Sequence, residues 1–184
     1  MIQSRLRIVT IGDETVGKTC LLSFLMGKNI PTTYRPTTYE NFCVDRTICG
    51  HVVTFSLRDT AGRSSFDDFR SIVFGGTDVF LLCYSKDNRN SFSSLQEKWI
   101  REAKKSVHGA KMILVQTKSD ISEEKSQVSD KEAEFLFYEE DLDGFVKTSA
   151  IKGEQSQNIL ELCSKLCALK KKWIPPIRRR QSKS

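Results

Sequence analysis

Apolar and polar residues follow one another along the chain with two distinct periods, and the order of those periods predicts the architecture. Apolar, largely β-branched residues from Arg5 to Ile11 predict a strand, and after a glycine-bounded loop the apolar spacing becomes helical from about Lys18 to Met26. Ile30 to Asn41 is rich in Pro, Thr and Tyr and has no helical stripe, so it reads as a long loop. Two strands, Phe42 to Cys49 and His51 to Leu57, meet so tightly at Gly50 that they must form an antiparallel hairpin. The run Arg58-Asp59-Thr60-Ala61-Gly62 leaves the second of these strands, and a short helix is expected near Phe66 to Phe74. Val79 to Tyr84 is continuously apolar, as in a strand buried on both faces. Helical spacing returns from Ser91 to Ser106 around Phe92, Leu95, Trp99 and Ala103, and Lys111 to Gln116 is a further buried strand. Ser129-Asp130-Lys131-Glu132 is a capping box opening a helix to about Tyr138, followed by a last strand, Gly144 to Lys147, and a last helix, Glu154 to Lys172. Strands alternating with crossover helices predict an α/β fold: a six-stranded, mostly parallel sheet with one antiparallel edge strand and helices on both faces. In such sheets ligands sit at the carboxyl ends of the strands.

Composition narrows this picture without changing it. With 184 residues, 39% apolar and 28% charged, the chain fits one domain, residues 1–173, followed by a basic tail, residues 174–184. No apolar run approaches the ~18 residues that a spanning helix needs, and the N-terminus enters a strand without a secretory pattern, so a cytoplasmic monomer is expected. Six cysteines in a chain of this size read as reduced thiols, and Cys163 and Cys167, one helical turn apart with no nearby His, read as small buried side chains. The net charge of +6 is uneven: Lys165 to Ser184 holds eight basic residues and no acidic one, which leaves the rest slightly acidic. That distribution argues against nucleic acid as a partner and for an anionic membrane surface, at the inner face of the plasma membrane, meeting the tail. His51 and His108 read as solvated, Trp99 as packing, and Trp173 as an interfacial anchor.

The chemistry lies at the predicted strand ends. Gly12-Asp13-Glu14-Thr15-Val16-Gly17-Lys18-Thr19 follows a strand and opens a helix, the setting in which backbone N–H groups from Glu14 through Cys20 face phosphates. Lys18 then reaches the terminal phosphates and the Thr19 hydroxyl ligates magnesium. Asp59-Thr60-Ala61-Gly62 supplies an acid for the magnesium shell, acting through water, and a glycine N–H for a γ-phosphate. Thr117-Lys118-Ser119-Asp120 ends a buried strand and places a carboxylate where it accepts two hydrogen bonds from guanine, a pair that adenine cannot donate. Thr148-Ser149-Ala150 ends the next strand, where a backbone N–H meets the guanine carbonyl. Four such motifs in order are far more specific than one.

Over Arg5 to Lys172 the chain resembles the small GTPases of the Ras superfamily, and most closely the Rho/Rac family. The Rho-like features are Cys20 after the phosphate loop, the segment Tyr34-Arg35-Pro36-Thr37-Thr38-Tyr39-Glu40-Asn41-Phe42, Thr77-Asp78-Val79-Phe80, Glu97-Lys98-Trp99, and Thr117 where many relatives carry asparagine. The resemblance implies a P-loop G domain binding GTP or GDP with Mg2+, in which Thr37 ligates magnesium and Tyr34 closes over the phosphates. It further implies that Tyr34, Pro36, Thr38, Tyr39, Glu40, Asn41 and Phe42 meet effector proteins, that an exchange factor loads the nucleotide, and that the output is cytoskeletal or membrane-linked signalling. Lys118 then packs its stem on the base and Asp120 selects guanine.

Three departures fall on the nucleotide site. Glu14 stands where the family usually has glycine, adding bulk and negative charge beside a polyanion. Arg63 stands where the family has the glutamine that orients the attacking water, and a guanidinium cannot accept a hydrogen bond from water. Both changes predict slow hydrolysis, although Glu14 and Arg63 also have opposite charge and suit an ion pair, and Arg63 as a built-in arginine finger is a third reading. Ile30 replaces an aromatic that usually packs edge-on against guanine, which predicts faster exchange. About 28 residues separate Asp120 from Ser149, too few for the extra helix of typical Rho proteins, and no cysteine near the C-terminus suits prenylation. The alternative to a slow switch is a pseudo-GTPase interaction module with weak or no nucleotide binding.

Overall fold

The apolar runs of the sequence become the middle of one sheet. The computed structural model describes residues 4–31, 33, 37, 39–60, 62, 72–153 and 156–171. Its strands are β1 (Ser4–Ile11), β2 (Tyr39–Ile48), β3 (His51–Thr60), β4 (Val79–Ser85), β5 (Lys111–Thr117) and β6 (Gly144–Lys147), in the spatial order β2-β3-β1-β4-β5-β6. Every neighbouring pair is parallel except β2 with β3, as the tight Gly50 turn requires.

Alternate residues of the central strands feed two separate cores. Leu6 and Ile8 of β1 with Leu81 and Cys83 of β4 pack against α1 (Lys18–Leu25) and the last helix, Ser156–Lys171. Val9 and Ile11 with Phe80, Leu82 and Tyr84 face the opposite way, toward Trp99, Ile100 and Leu136. That second layer contains α2, a continuous helix made of α-helical Arg89–Ser94, a π-helical turn Leu95–Trp99 and α-helical Ile100–Ser106. It also contains α3 (Asp130–Glu139); the last helix is α4. Burial on both faces explains why β4 has no polar alternation: all seven of its residues are buried.

Among the described residues, three boundaries differ by two residues or more from the sequence expectation. The long loop was expected to run to Asn41, but β2 starts at Tyr39, because β3 continues to Thr60 and pairs Tyr39 with Thr60 and Glu40 with Asp59. Asp59 and Thr60 therefore lie in the strand instead of beyond it. Two hydroxyls extend β3: Thr10 Oγ1 donates to the Arg58 carbonyl at 2.9 Å and Thr60 Oγ1 donates to the Thr10 carbonyl at 2.6 Å. At α2 the start moves back to Arg89, since the Asn88 side chain accepts the Ser91 N–H and caps the helix. Of the expected helix near Phe66 to Phe74, residues 66–71 lie outside the described residues, while 72–74 are helical. Residues 174–184 also lie outside them.

No described helix is long and apolar enough to cross a membrane. Between Asp120 and Ser149 the chain forms only a 3-10 turn, Glu123–Lys125, and α3 before β6.

Candidate functional site

The carboxyl ends of β1, β3, β4 and β5 place four loops side by side, and the first wraps the start of α1. Gly12 has φ of 140°, and a Cβ there would lie 2.1 Å from the Cys83 carbonyl oxygen, so only glycine lets the loop cross β4. Gly17, with φ of 97°, is the N-cap of α1; no side chain caps that end and no acidic residue lies in its first turn. The helix thus presents N–H groups and its positive dipole end toward the loop, which is the chemistry of an anion cradle. Lys18 is buried, with its ammonium 2.9 Å from the Gly12 carbonyl and 2.6 Å from the Asp13 carbonyl. Those bonds hold the cation at the loop.

Beside it, three oxygens from three separate elements converge. Thr19 Oγ1 donates to Asp59 Oδ2 at 2.6 Å and lies 3.2 Å from Thr37 Oγ1, which is 3.4 Å from the same carboxylate oxygen. Asp59 is fully buried and its other oxygen, Oδ1, has no hydrogen-bond partner. Burial pushes its carboxyl above the usual range; the Thr19 hydroxyl and the Lys18 charge only partly oppose this. A buried carboxylate with an unused oxygen, flanked by two hydroxyls, is a donor set of the kind that magnesium prefers. The residues therefore fit the implied ion.

The phosphate loop is also braced from outside. The Trp99 indole Nε1–H, in the π-helical turn of α2, donates to Asp13 Oδ1 at 2.8 Å. Gly62 lies flat on the loop: a Cβ there would come within 2.3 Å of the Glu14 backbone nitrogen. Glu14 and Thr15 are exposed at the loop's tip, and Thr15 has φ of 61°, a left-handed conformation rarely taken by threonine. Val16 points into the core, and Cys20, half buried behind the loop, has its thiol pushed up by burial and by Asp59.

The loops after β4, β5 and β6 continue the same end of the sheet. Thr117 Oγ1 lies 2.5 Å from the Val16 carbonyl and 2.9 Å from the Tyr84 carbonyl, so one hydroxyl tethers β5, β4 and the phosphate loop. Lys118 follows with φ of 53°, and its ammonium lies 3.3 and 3.4 Å from the two Asp87 oxygens. Burial pushes Asp87 up, but the Ser85 hydroxyl and Lys118 outweigh it and hold the carboxyl below its ordinary range. Ser149, fully buried, donates from Oγ to Asp120 Oδ1 at 2.6 Å, and the Ser119 N–H donates to the Thr148 carbonyl at 2.9 Å. Asp120, Ser149 and the half-buried Ala150 thereby share one rim.

The other expected residues divide cleanly. Ile30 is half buried in the irregular chain after α1. Tyr39, Glu40, Asn41 and Phe42 lie on edge strand β2, where Glu40 and Asn41 are exposed; Asn41 accepts the Ser56 hydroxyl at 3.0 Å, and Lys28 sits 4.8 Å over the Phe42 ring. Tyr34, Pro36, Thr38 and Arg63 lie outside the described residues. The six cysteines form no disulfide.

Sequence reading missed three residues. Trp99 was expected to serve packing alone, and nothing in its helical spacing announces the bond to Asp13. Asp87 and Lys86 follow β4 with no motif around them. Buried Lys86 donates to the Ile121 carbonyl at 2.9 Å and accepts the Gln127 N–H at its own carbonyl, which shapes the loop after Asp120. A family model described as the Ras family matches residues 7–168.

Proposed function

The chain belongs to the Ras family of small GTP-binding switches, and on that premise we propose a Rho-like member that binds GTP with magnesium and hydrolyses it slowly. The single observation that carries the binding half is the convergence of Thr19, Thr37 and Asp59 beside a buried lysine. Magnesium held by those groups would neutralise charge on the phosphate oxygens. The N–H groups at the start of α1 and the Lys18 ammonium orient the phosphates. Asp120, steadied by the Ser149 hydroxyl, receives the two donors of guanine, while the Lys118 stem covers the base. Thr37 lies two residues before β2, so a ligand that engages Thr37 would act on the segment ahead of the strand, while pairing with β3 holds Tyr39 to Phe42. Effector proteins would read that surface.

The slow half rests on residue types. Glu14 adds bulk and negative charge to the phosphate loop beside a polyanion, and Arg63 has no lone pair with which to align a water. Water orientation together with a supplied arginine is worth on the order of 10⁵-fold in this reaction class, so loss of both leaves GTP bound for long periods. The basic tail supplies weak attachment to anionic membrane. Identifying the nucleotide on the purified protein and following single-turnover GTP hydrolysis tests both halves. GTP retained without hydrolysis is the expected result, and GDP alone with ordinary turnover overturns the slow half. A protein that takes up no guanine nucleotide overturns the binding half and leaves the interaction module, which Ile30 favours.

A further inference from the structure

At the end of the sheet remote from the phosphate loop, a cavity of about 210 Å³ opens between the β2–β3 hairpin, β1 and the last turns of α4. Its walls are apolar, formed by Leu6, Ile48, Val53, Cys167 and Ala168, and Lys165 stands at its rim. No acidic residue lines it among the described residues. From this geometry we infer that the cavity is the docking site of this chain's own segment Trp173-Ile174-Pro175-Pro176-Ile177, with the Trp173 indole as its anchor.

Three arguments select that occupant. The first is reach. Ala168 lines the cavity and Lys171 is the last residue of α4. Three helical residues rise about 4.5 Å, and two more span at most about 7 Å, so the root of the Trp173 side chain lies within about 12 Å of Ala168. The second is direction. Pro175 has no N–H, its ring would clash with the Lys171 carbonyl in a continued helix, and it disfavours the helical conformation at Ile174. A straight helical continuation through Pro175 is therefore disfavoured, which lets the segment turn toward the cavity. The third is chemistry. Residues 173–177 are the one uncharged apolar stretch of residues 172–184, flanked by Lys170, Lys171 and Lys172 on one side and Arg178, Arg179 and Arg180 on the other. Lys165 and the equally rimming Arg5 repel those flanks, so the neutral stretch enters and its register is set. Docking fixes where the arginines emerge, on the face opposite the nucleotide.

Tryptophan fluorescence of the full chain tests this directly. There are two tryptophans and Trp99 is fully buried, so the signal that Trp173→Phe removes belongs to Trp173. Acrylamide should quench that signal at least about threefold less than it quenches a free peptide of residues 170–184, as expected for an enclosed indole. Ala168→Phe, which fills the cavity, should return quenching to the peptide value. Should Ala168→Phe fail to fold, Trp173→Ser provides the second measure, lowering the melting temperature by about 2–4 °C because a docked indole contributes to stability. Peptide-like quenching in the unmodified chain overturns the inference. So does shielding that appears only on vesicles containing anionic lipid, which assigns the indole to the membrane, or shielding that grows with protein concentration, which assigns it to a second copy.

Discussion

Thr117 shows how much of the site hangs on one hydroxyl. It is buried, and its contact to the Val16 carbonyl joins the end of β5 to the phosphate loop while that to the Tyr84 carbonyl joins β5 to β4. Thr117→Val keeps the volume and removes the donor, so it should cost about 1–3 kcal/mol in stability and speed release of a fluorescent GDP analogue by about tenfold or more. Melting and stopped-flow release measure the two effects. Asp87 makes a different prediction. The Lys118–Asp87 pair is substantially solvent-exposed, with side-chain exposures of 40% and 34%, which limits it to about 0.2–1 kcal/mol. Asp87→Asn should leave melting unchanged and accelerate release by no more than about fivefold, and Asp87→Glu should restore the slower rate. A large melting shift in Asp87→Asn would give this residue a structural role instead. Lys18, Thr19, Asp59 and Asp120 stand out in the chain because each belongs to a short motif of fixed spacing. Asp87 could not, because its partner lies 31 positions away.

Among the elements, α3 was the most legible and α2 the least. The capping box of α3 is local: Ser129 accepts the Glu132 N–H, and Glu132 accepts the Ser129 N–H at 3.0 Å. Those bonds, first the Ser129 backbone, then its hydroxyl, then Arg89, hold the Glu132 carboxyl down at about 2. A carboxyl depressed in the folded protein adds stability at pH values above its unfolded range and loses it as pH falls toward about 2. Glu132→Ala should therefore lower the melting temperature at pH 7, and the difference from the parent should shrink between the ordinary carboxylate range and pH 2. Because the Glu132 side chain is 43% exposed, the whole effect should stay at about 1 kcal/mol. In α2, by contrast, the π-helical turn widens the helix at Leu95–Trp99 and aims the indole at Asp13. Trp99→Phe keeps the ring in the core but removes a hydrogen bond to a carboxylate, worth about 1.5–3 kcal/mol. Nucleotide release should quicken accordingly, and unchanged release would limit Trp99 to packing.

At the scale of the molecule, the sheet separates the proposed nucleotide site from the end that carries the β2–β3 turn. The loops after β1, β3 and β5 occupy one end, while the hairpin turn and the end of α4 occupy the other. Membrane attachment through the tail should then leave the Tyr34 to Phe42 surface accessible. Binding to vesicles with anionic lipid should fall steeply between 0.1 and 1 M salt, as the screening length shortens from about 10 to about 3 Å. Binding that survives high salt would point to an apolar anchor.

Apolar period and four motifs were enough to predict the strand sequence, the antiparallel hairpin and the two-sided burial of β4, and to single out the loop residues that the fold gathers at one end of the sheet. All of these are local: they depend on neighbours within a few positions, so the chain carries them in linear order. Tertiary structure alone decided the rest. It drew Tyr39 to Asn41 into β2 by pairing them with a longer β3. It set Trp99 against Asp13 and Asp87 against Lys118, and it pressed Gly62 onto the phosphate loop. Such contacts join residues distant in sequence, and their geometry exists only after the parallel strands have brought their carboxyl ends together.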